Sequence, residues 1–221
     1  MKVLRVAAAM LTASVMTAAQ ADTSFSEGFD DITALGAAGW VFSNASSPAG
    51  LAWFQGNVGV FNAAEGAAAS YAAANFNSTS SSTGSVDNWL ISPELSLAPG
   101  STLSFYTRAS DAGFLDLLEI RFSSGSGTDI AGFTTLLGSV GSAGSASYPT
   151  EGWIAVTLTL PSVSSGRFAF HYAVPNALDA SYIGIDSVSV SAVPETSTAL
   201  MLALGLGAVG VARARRSRTS L

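Results

Sequence analysis

Residues 167–190 read RFAFHYAVPNALDASYIGIDSVSV. In RFAFHYAV (167–174), Phe168, Phe170, Tyr172 and Val174 alternate with Arg167, Ala169, His171 and Ala173. In YIGIDSVSV (182–190), the same period sets Ile183, Ile185, Ser187 and Ser189 against Tyr182, Gly184, Asp186, Val188 and Val190. Successive side chains of a strand point to opposite faces. A period of two with one apolar face therefore predicts antiparallel strands laid on a core.

Three more segments repeat the pattern. STLSFYTR (101–108) puts Leu103, Phe105 and Thr107 on one face, and LLEIRFS (117–123) does the same with Leu118, Ile120 and Phe122. WIAVTLTL (153–160) aligns Ile154, Val156, Leu158 and Leu160. Gly, Ser and Thr punctuate these runs, and no helical period competes with them. The expected fold is all-β: a two-sheet antiparallel sandwich, or jelly roll, flanked by an N-terminal signal peptide and a single C-terminal hydrophobic helix. Two low-complexity segments interrupt it. AAEGAAASYAAANFNSTSSSTGS (63–85) reads as a long mobile loop holding at most one short strand, and GSVGSAGSAS (138–147) as a hairpin tip or strand linker.

The ends carry an address. Lys2 and Arg5 precede an apolar stretch, Val6 to Ala19, and Ala19-Gln20-Ala21 supplies the small residues of a signal-peptidase site. Cleavage is expected between Ala21 and Asp22, so residues 1–21 form a signal peptide and residues 22–192 the β-sandwich domain. Residues 193–221 form a tail in three parts: VPET (193–196), an apolar run (197–212) and a basic end (213–221). As a helix, the apolar run is about 24 Å long, short of a bilayer core of about 30 Å. Gly205, Gly207 and Gly210 weaken it further. RARRSR (213–218) would hold the C-terminus in the cytoplasm. The tail reads either as a plain anchor or as a handle removed after export.

Removing both ends changes the charge. The whole chain carries −6, with no Cys. Residues 22–192 keep three arginines, Arg108, Arg121 and Arg167, against fourteen acids, which leaves −11. Such a surface repels nucleic acid and anionic membranes and suits cations. An exported chain without Cys has no disulfides to lean on.

Catalytic chemistry is hard to assemble. The single His, His171, lies inside a strand, and no Cys nucleophile, G-x-S-x-G elbow, P-loop or dinucleotide fingerprint is present. One His and no Cys exclude the usual zinc set. A glycosidase pair drawn from Glu27, Asp30, Asp87, Glu119 and Asp186 has no separation that sequence can read. Calcium takes hard oxygen ligands, and Asp186 with Glu27 could share one where the first and last strands meet. Flat aromatic rings stack on sugars, and Trp53 and Phe54 in GLAWFQGN (50–57) are the candidates for an exposed stacking platform.

Two resemblances extend this reading. SFSEGFDD (24–31) with Gly39-Trp40, DNWLISPELSLAPGSTLSFYTR (87–108), and EGWIAVTLTLP, GRFAFHYAV and YIGIDSVSV at the end resemble the exported choice-of-anchor J domains. Those domains are related to the cleaved adhesin domain and more loosely to MAM domains. The resemblance implies a jelly roll, a non-catalytic role and, in some relatives, bound calcium. The calcium ligands it implies are Glu27, Asp87 and Asp186. The tail resembles the PEP-CTERM sorting signal of Gram-negative bacteria that make extracellular polysaccharide. Val193, Pro194 and Glu195 match, and Thr196 stands where the family has a second Pro. This implies a substrate of exosortase, a membrane sorting protease. The protein would be exported across the inner membrane, would touch the membrane transiently through its C-terminal helix, and would be released to the cell surface or a biofilm matrix. Its expected role is adhesive or structural, in contact with extracellular polysaccharide. The alternatives are a carbohydrate-binding module and an accessory domain of a hydrolytic system.

Overall fold

A computed structural model describes residues 23–192; the signal-peptide and tail segments lie outside the described residues. Twelve strands follow one another: β1 (Thr23–Glu27), β2 (Val41–Asn44), β3 (Phe54–Gln55), β4 (Ala72–Asn75), β5 (Val86–Ile91), β6 (Leu95–Ser96), β7 (Thr102–Ala109), β8 (Leu117–Ser124), β9 (Thr135–Gly141), β10 (Ile154–Thr159), β11 (Ser165–Val174) and β12 (Tyr182–Ser191). They form two antiparallel sheets. The first runs β10-β7-β12-β4-β3, with β1 also on β12; the second runs β2-β5-β11-β8-β9, with β6 also on β11. Four short 3-10 turns occur, and no α-helix is found among the described residues. No described helix is long and apolar enough to cross a membrane.

The alternation read from sequence holds in β7, β8 and β11. Leu103 and Phe105 of the first sheet face Leu118, Ile120, Phe122, Phe168, Phe170 and Tyr172 of the second, all buried. Phe105 meets Phe170 edge-on across the core, with centroids 5.0 Å apart. Each such side chain contributes about 1.5–3 kcal/mol by burial.

Strand β12 departs from the reading. Ile183 and Ile185 face the core, but Val188 and Val190 replace Ser187 and Ser189 there. The cause is a β-bulge. Opposite β7, Asp186 pairs with Tyr106 but Ser189 with Ser104, so β12 carries one extra residue, and Ser187 takes a positive φ of 49°. The extra residue swaps the faces downstream. Without it, two serines would point into the core and two valines out.

Three other expectations are adjusted. The alanine-rich stretch does hold one short strand, but that strand lies inside a sheet rather than in a loop. Ala72, Ala73 and Ala74 are fully buried in β4, which lies between β12 and β3. GSVGSAGSAS begins inside β9 rather than as a linker. The apolar side of β10 is only partly covered, with Ile154 42% exposed, because β10 is an edge strand.

The outer face of the first sheet is covered by residues 56–70. There Phe61, Tyr71, Tyr182, Phe54 and Trp153 form a second apolar cluster. It presses on Gly184 of β12, where an added Cβ would come within 2.9–3.0 Å of the Trp153, Phe61 and Tyr71 rings. A bare backbone is needed at that point.

Both ends of the described chain lie at one end of the sandwich, since Thr23 pairs with Ser191. Strand β12 runs from there back to Tyr182, nine steps or about 30 Å away. The segments joining β4 to β5, β7 to β8, and β11 to β12 gather at that far end.

Candidate functional site

The far end holds a cleft of about 660 Å³. Its apolar lining is Phe54, Val60, Phe76, Phe114 and Leu178, and its polar lining includes Asn57, Asn75, Ser82, Ser110 and Asp111. Phe76 is 47% and Leu178 61% exposed. Large apolar side chains held in water around a concavity mark a binding site more often than a fold requirement.

Local capping explains why these two side chains stand outward. Asn75 accepts the N–H of Asn77 and caps the 3-10 turn Phe76–Ser78; Asn176 accepts the N–H of Leu178 and caps Ala177–Asp179. Each Asn side chain fixes the start of its turn. Phe76 N–H donates to Ser181 O, tying the first turn to the residues before β12.

Beneath the cleft lies Asp116. Its carboxylate accepts from the Ser181 N–H at 2.8 Å and from the hydroxyls of Ser181 and Tyr172. Burial pushes the Asp116 carboxyl above its ordinary range, against the pull of these hydrogen bonds. The network fixes the floor of the cleft from inside the core. The phenols of Tyr71 and Tyr182 are likewise engaged, 3.1 Å apart, and both accept the N–H of Asn57. Burial raises the pKa of both. Asn57 and Asn75 use their side-chain oxygens internally, on the N–H groups of Gly59 and Asn77. Their amide NH₂ groups make no bond among the described residues.

Of the two expected platform residues, Phe54 reaches this cleft and Trp53 does not. Trp53 is 3% exposed and donates its indole N–H to Asn88 O at 3.3 Å. Trp53 lies just ahead of the two-residue strand β3 and turns inward, whereas Phe54, its first residue, turns toward the cleft. The expectation of an exposed Trp53 is therefore corrected. Phe76 and Leu178, missed in the sequence, take its place; the signal that could have found them is an Asn one or two residues before a large apolar residue outside any alternating run.

His171 sits elsewhere, on the outer face of the second sheet. Its Nδ1 is 2.9 Å from Glu119 Oε2 and its Nε2 2.8 Å from Asp87 Oδ1. Arg121 pairs with Glu119 at 2.7 Å. With both nitrogens turned to carboxylates, the ring has no lone pair aimed at a substrate. The hydrogen bond from His171 holds the Asp87 carboxyl below its ordinary range, outweighing burial. Burial works to raise Glu119, but Arg121 and His171 outweigh it and leave its pKa lowered.

The calcium set does not converge. Asp87 pairs in the second sheet and Asp186 in the first, on opposite outer faces; packed sheets are themselves about 10 Å apart. Asp186 is fully buried, and its oxygens face donors: the N–H groups of Ala64 (2.7 Å), Glu65 (3.1 Å) and Ser187 (2.6 Å) and the Ser187 hydroxyl. Burial still leaves its carboxyl above the usual range. Glu27 lies across from Val188 and, with Glu65 and Ser187, lines a second cavity of about 700 Å³, but its Oε1 accepts the Phe29 N–H. A carboxylate ringed by N–H donors does not fit a cation. Among the described residues no three His, Asp or Glu side chains are grouped to hold a metal.

No protein-family model matches this sequence, and no curated protein matches it. Solved structures do. The K1 cleaved adhesin domain of Lys-gingipain from Porphyromonas gingivalis W83 is 26% identical, covering 78% of this chain and 99% of that one, with a TM-score of 0.59. The K3 cleaved adhesin domain of the same protein and strain is 21% identical over 79% of this chain and 100% of that one, with a TM-score of 0.57. The K2 cleaved adhesin domain of Lys-gingipain is 21% identical over 75% and 98%, with a TM-score of 0.56. Residues 23–192 thus have the jelly-roll fold of a cleaved adhesin domain, and the likeness spans almost the whole of each gingipain domain.

Proposed function

We propose that this chain is an exported, non-catalytic adhesive domain that binds extracellular polysaccharide in the cleft at the end of the sandwich remote from its termini. The observation that carries this reading is the exposed pair Phe76 and Leu178, held beside free amide and carboxylate groups. Apolar surface suits the C–H faces of sugar rings, and the polar groups suit their hydroxyls. The cleft holds one carboxylate, Asp111, so it lacks the pair that glycoside hydrolysis uses. The fold shared with adhesin domains supports a surface or extracellular setting.

The sorting part of the proposal rests on the sequence: exosortase would recognise Val193, Pro194, Glu195 and Thr196 and cut near them. Strand β12 ends at Ser191, remote from the cleft. The test is retention on polysaccharide from the native matrix: the wild-type chain is retained, and Phe76→Ala or Leu178→Ser weakens retention about ten-fold or more. Equal retention of all three removes the cleft from the account.

A further inference from the structure

The geometry points to an amine-bearing glycan as the ligand of this cleft: a polymer of amino sugars with free, protonated nitrogens, taken in preference to neutral sugars or uronates. The inference rests on the polysaccharide reading above and adds the chemical class.

Charge decides it. Residues 22–192 contain no Lys, and each Arg is committed away from the cleft. Arg108 donates to Thr150 O and lies 4.4 Å over the Phe61 ring. Arg121 pairs with Glu119. Arg167 donates to the carbonyls of Ser126, Gly39 and Ser92. A uronate entering the cleft would meet no cation and a domain of net charge −11.

An ammonium group meets the opposite. Asp111 is exposed on the cleft wall, and its carboxylate is engaged only at Oδ2, by the Ser110 hydroxyl at 2.6 Å. Oδ1 makes no bond among the described residues. With a sugar's apolar face on Phe76 and Leu178, a ring-borne ammonium can donate to Oδ1, while the Asn57 and Asn75 amides reach hydroxyl oxygens. The ammonium–carboxylate bond is charge-assisted. The net negative field adds long-range attraction that salt screens.

The experiment titrates the full chain by calorimetry with glucosamine oligomers, their N-acetylated counterparts and oligogalacturonate. The expected order is glucosamine, then N-acetylated, then galacturonate. Asp111→Asn lowers glucosamine affinity by about five-fold and brings it level with the N-acetylated series. Glu94→Gln, an exposed acid outside the cleft, leaves the preference intact. Raising salt from about 0.1 M to about 1 M weakens glucosamine binding most, as the Debye length falls from about 10 Å to about 3 Å. Equal affinity for the two glucosamine series, or a preference that survives Asp111→Asn, overturns the amine assignment. If N-acetylated oligomers still bind and Phe76→Ala abolishes that binding, the polysaccharide reading stands without it. Failure of all three oligomer classes to bind overturns both.

Discussion

The His171 ring lies against Trp89, with centroids 3.8 Å apart and planes 12° from parallel. The two residues face each other across β11 and β5, and both reach one oxygen of Asp87. Through Glu119 the contact extends to β8. The lone histidine thus clips three strands on the outer face of the second sheet. His171→Ala leaves two partly buried carboxylates short of a partner and is expected to cost about 2–3 kcal/mol. Urea unfolding reads that loss, while glycan binding stays at the wild-type level. A variant with unchanged stability and lost binding would move the site to this face.

The same cluster sets an acid limit. The carboxyls of Asp87 and Glu119 are held below the ordinary 3.8 and 4.5. A lowered native pKa adds stability above the unfolded value, and that stability is lost as pH falls through the native value. Glu119→Gln is therefore less stable than wild type by about 1 kcal/mol at neutral pH, and the gap narrows below pH 4.5. Denaturant titrations at a series of pH values check the convergence. Asp116 and Asp186 work in the other direction. Their raised native values give stability that is full below the unfolded pKa and declines as pH rises through the folded one.

Asp186 fastens the covering segment to the bulge. Asp186→Ala strips the acceptor from the N–H groups of Ala64, Glu65 and Ser187. The expected loss is about 3–5 kcal/mol, with faster proteolysis within residues 56–70. Gly184→Ala pushes a methyl against the three rings above it and is expected to cost about 1–3 kcal/mol. Chelator leaves the melting temperature of the wild-type chain unchanged, because Asp186 is already satisfied by N–H donors. A drop on chelation would require a cation held by other ligands.

Burial separates two aromatic substitutions that a composition count treats alike. Trp53→Ala empties a core position and is expected to cost about 3–5 kcal/mol. Phe76→Ala removes a half-exposed ring and is expected to leave stability within about 1 kcal/mol while weakening glycan retention. Thermal melts and pull-downs on the two variants distinguish core from site.

The sorting proposal has a direct check in the intact mass of protein from its native host. Cutting near Pro194-Glu195 predicts a mature form that lacks Arg218. Recovery of Arg218 in that form contradicts it.

Sheet membership was legible where apolar residues alternate without interruption, as in β7, β8 and β11. The bulge in β12 was also written there, since its apolar residues step from Ile183 and Ile185 to Val188 and Val190. A fixed period of two passed over that three-residue step. Strand β4 carries only alanines before Asn75, so no apolar period could reveal it; its burial comes from neighbours on both sides. Trp53 and Phe54 are adjacent letters of similar character, and only the brief pairing of β3 with β4 separates their fates. The cleft was not legible because its walls come from four loops far apart in sequence. Asp87 and Asp186 look alike as strand acids, yet one binds a histidine and the other a loop backbone.

The central claim is that ligand binds at the end of the sandwich holding Phe76, Leu178 and Asp111. Amide chemical-shift mapping of the isotope-labelled chain during titration with glucosamine oligomers tests it most directly. The account predicts saturable shifts confined to residues 54–60, 75–82, 110–114 and 177–182, with those around His171 unmoved. Shifts centred on His171, or on the β1–β12 cavity beside Glu27, would contradict it.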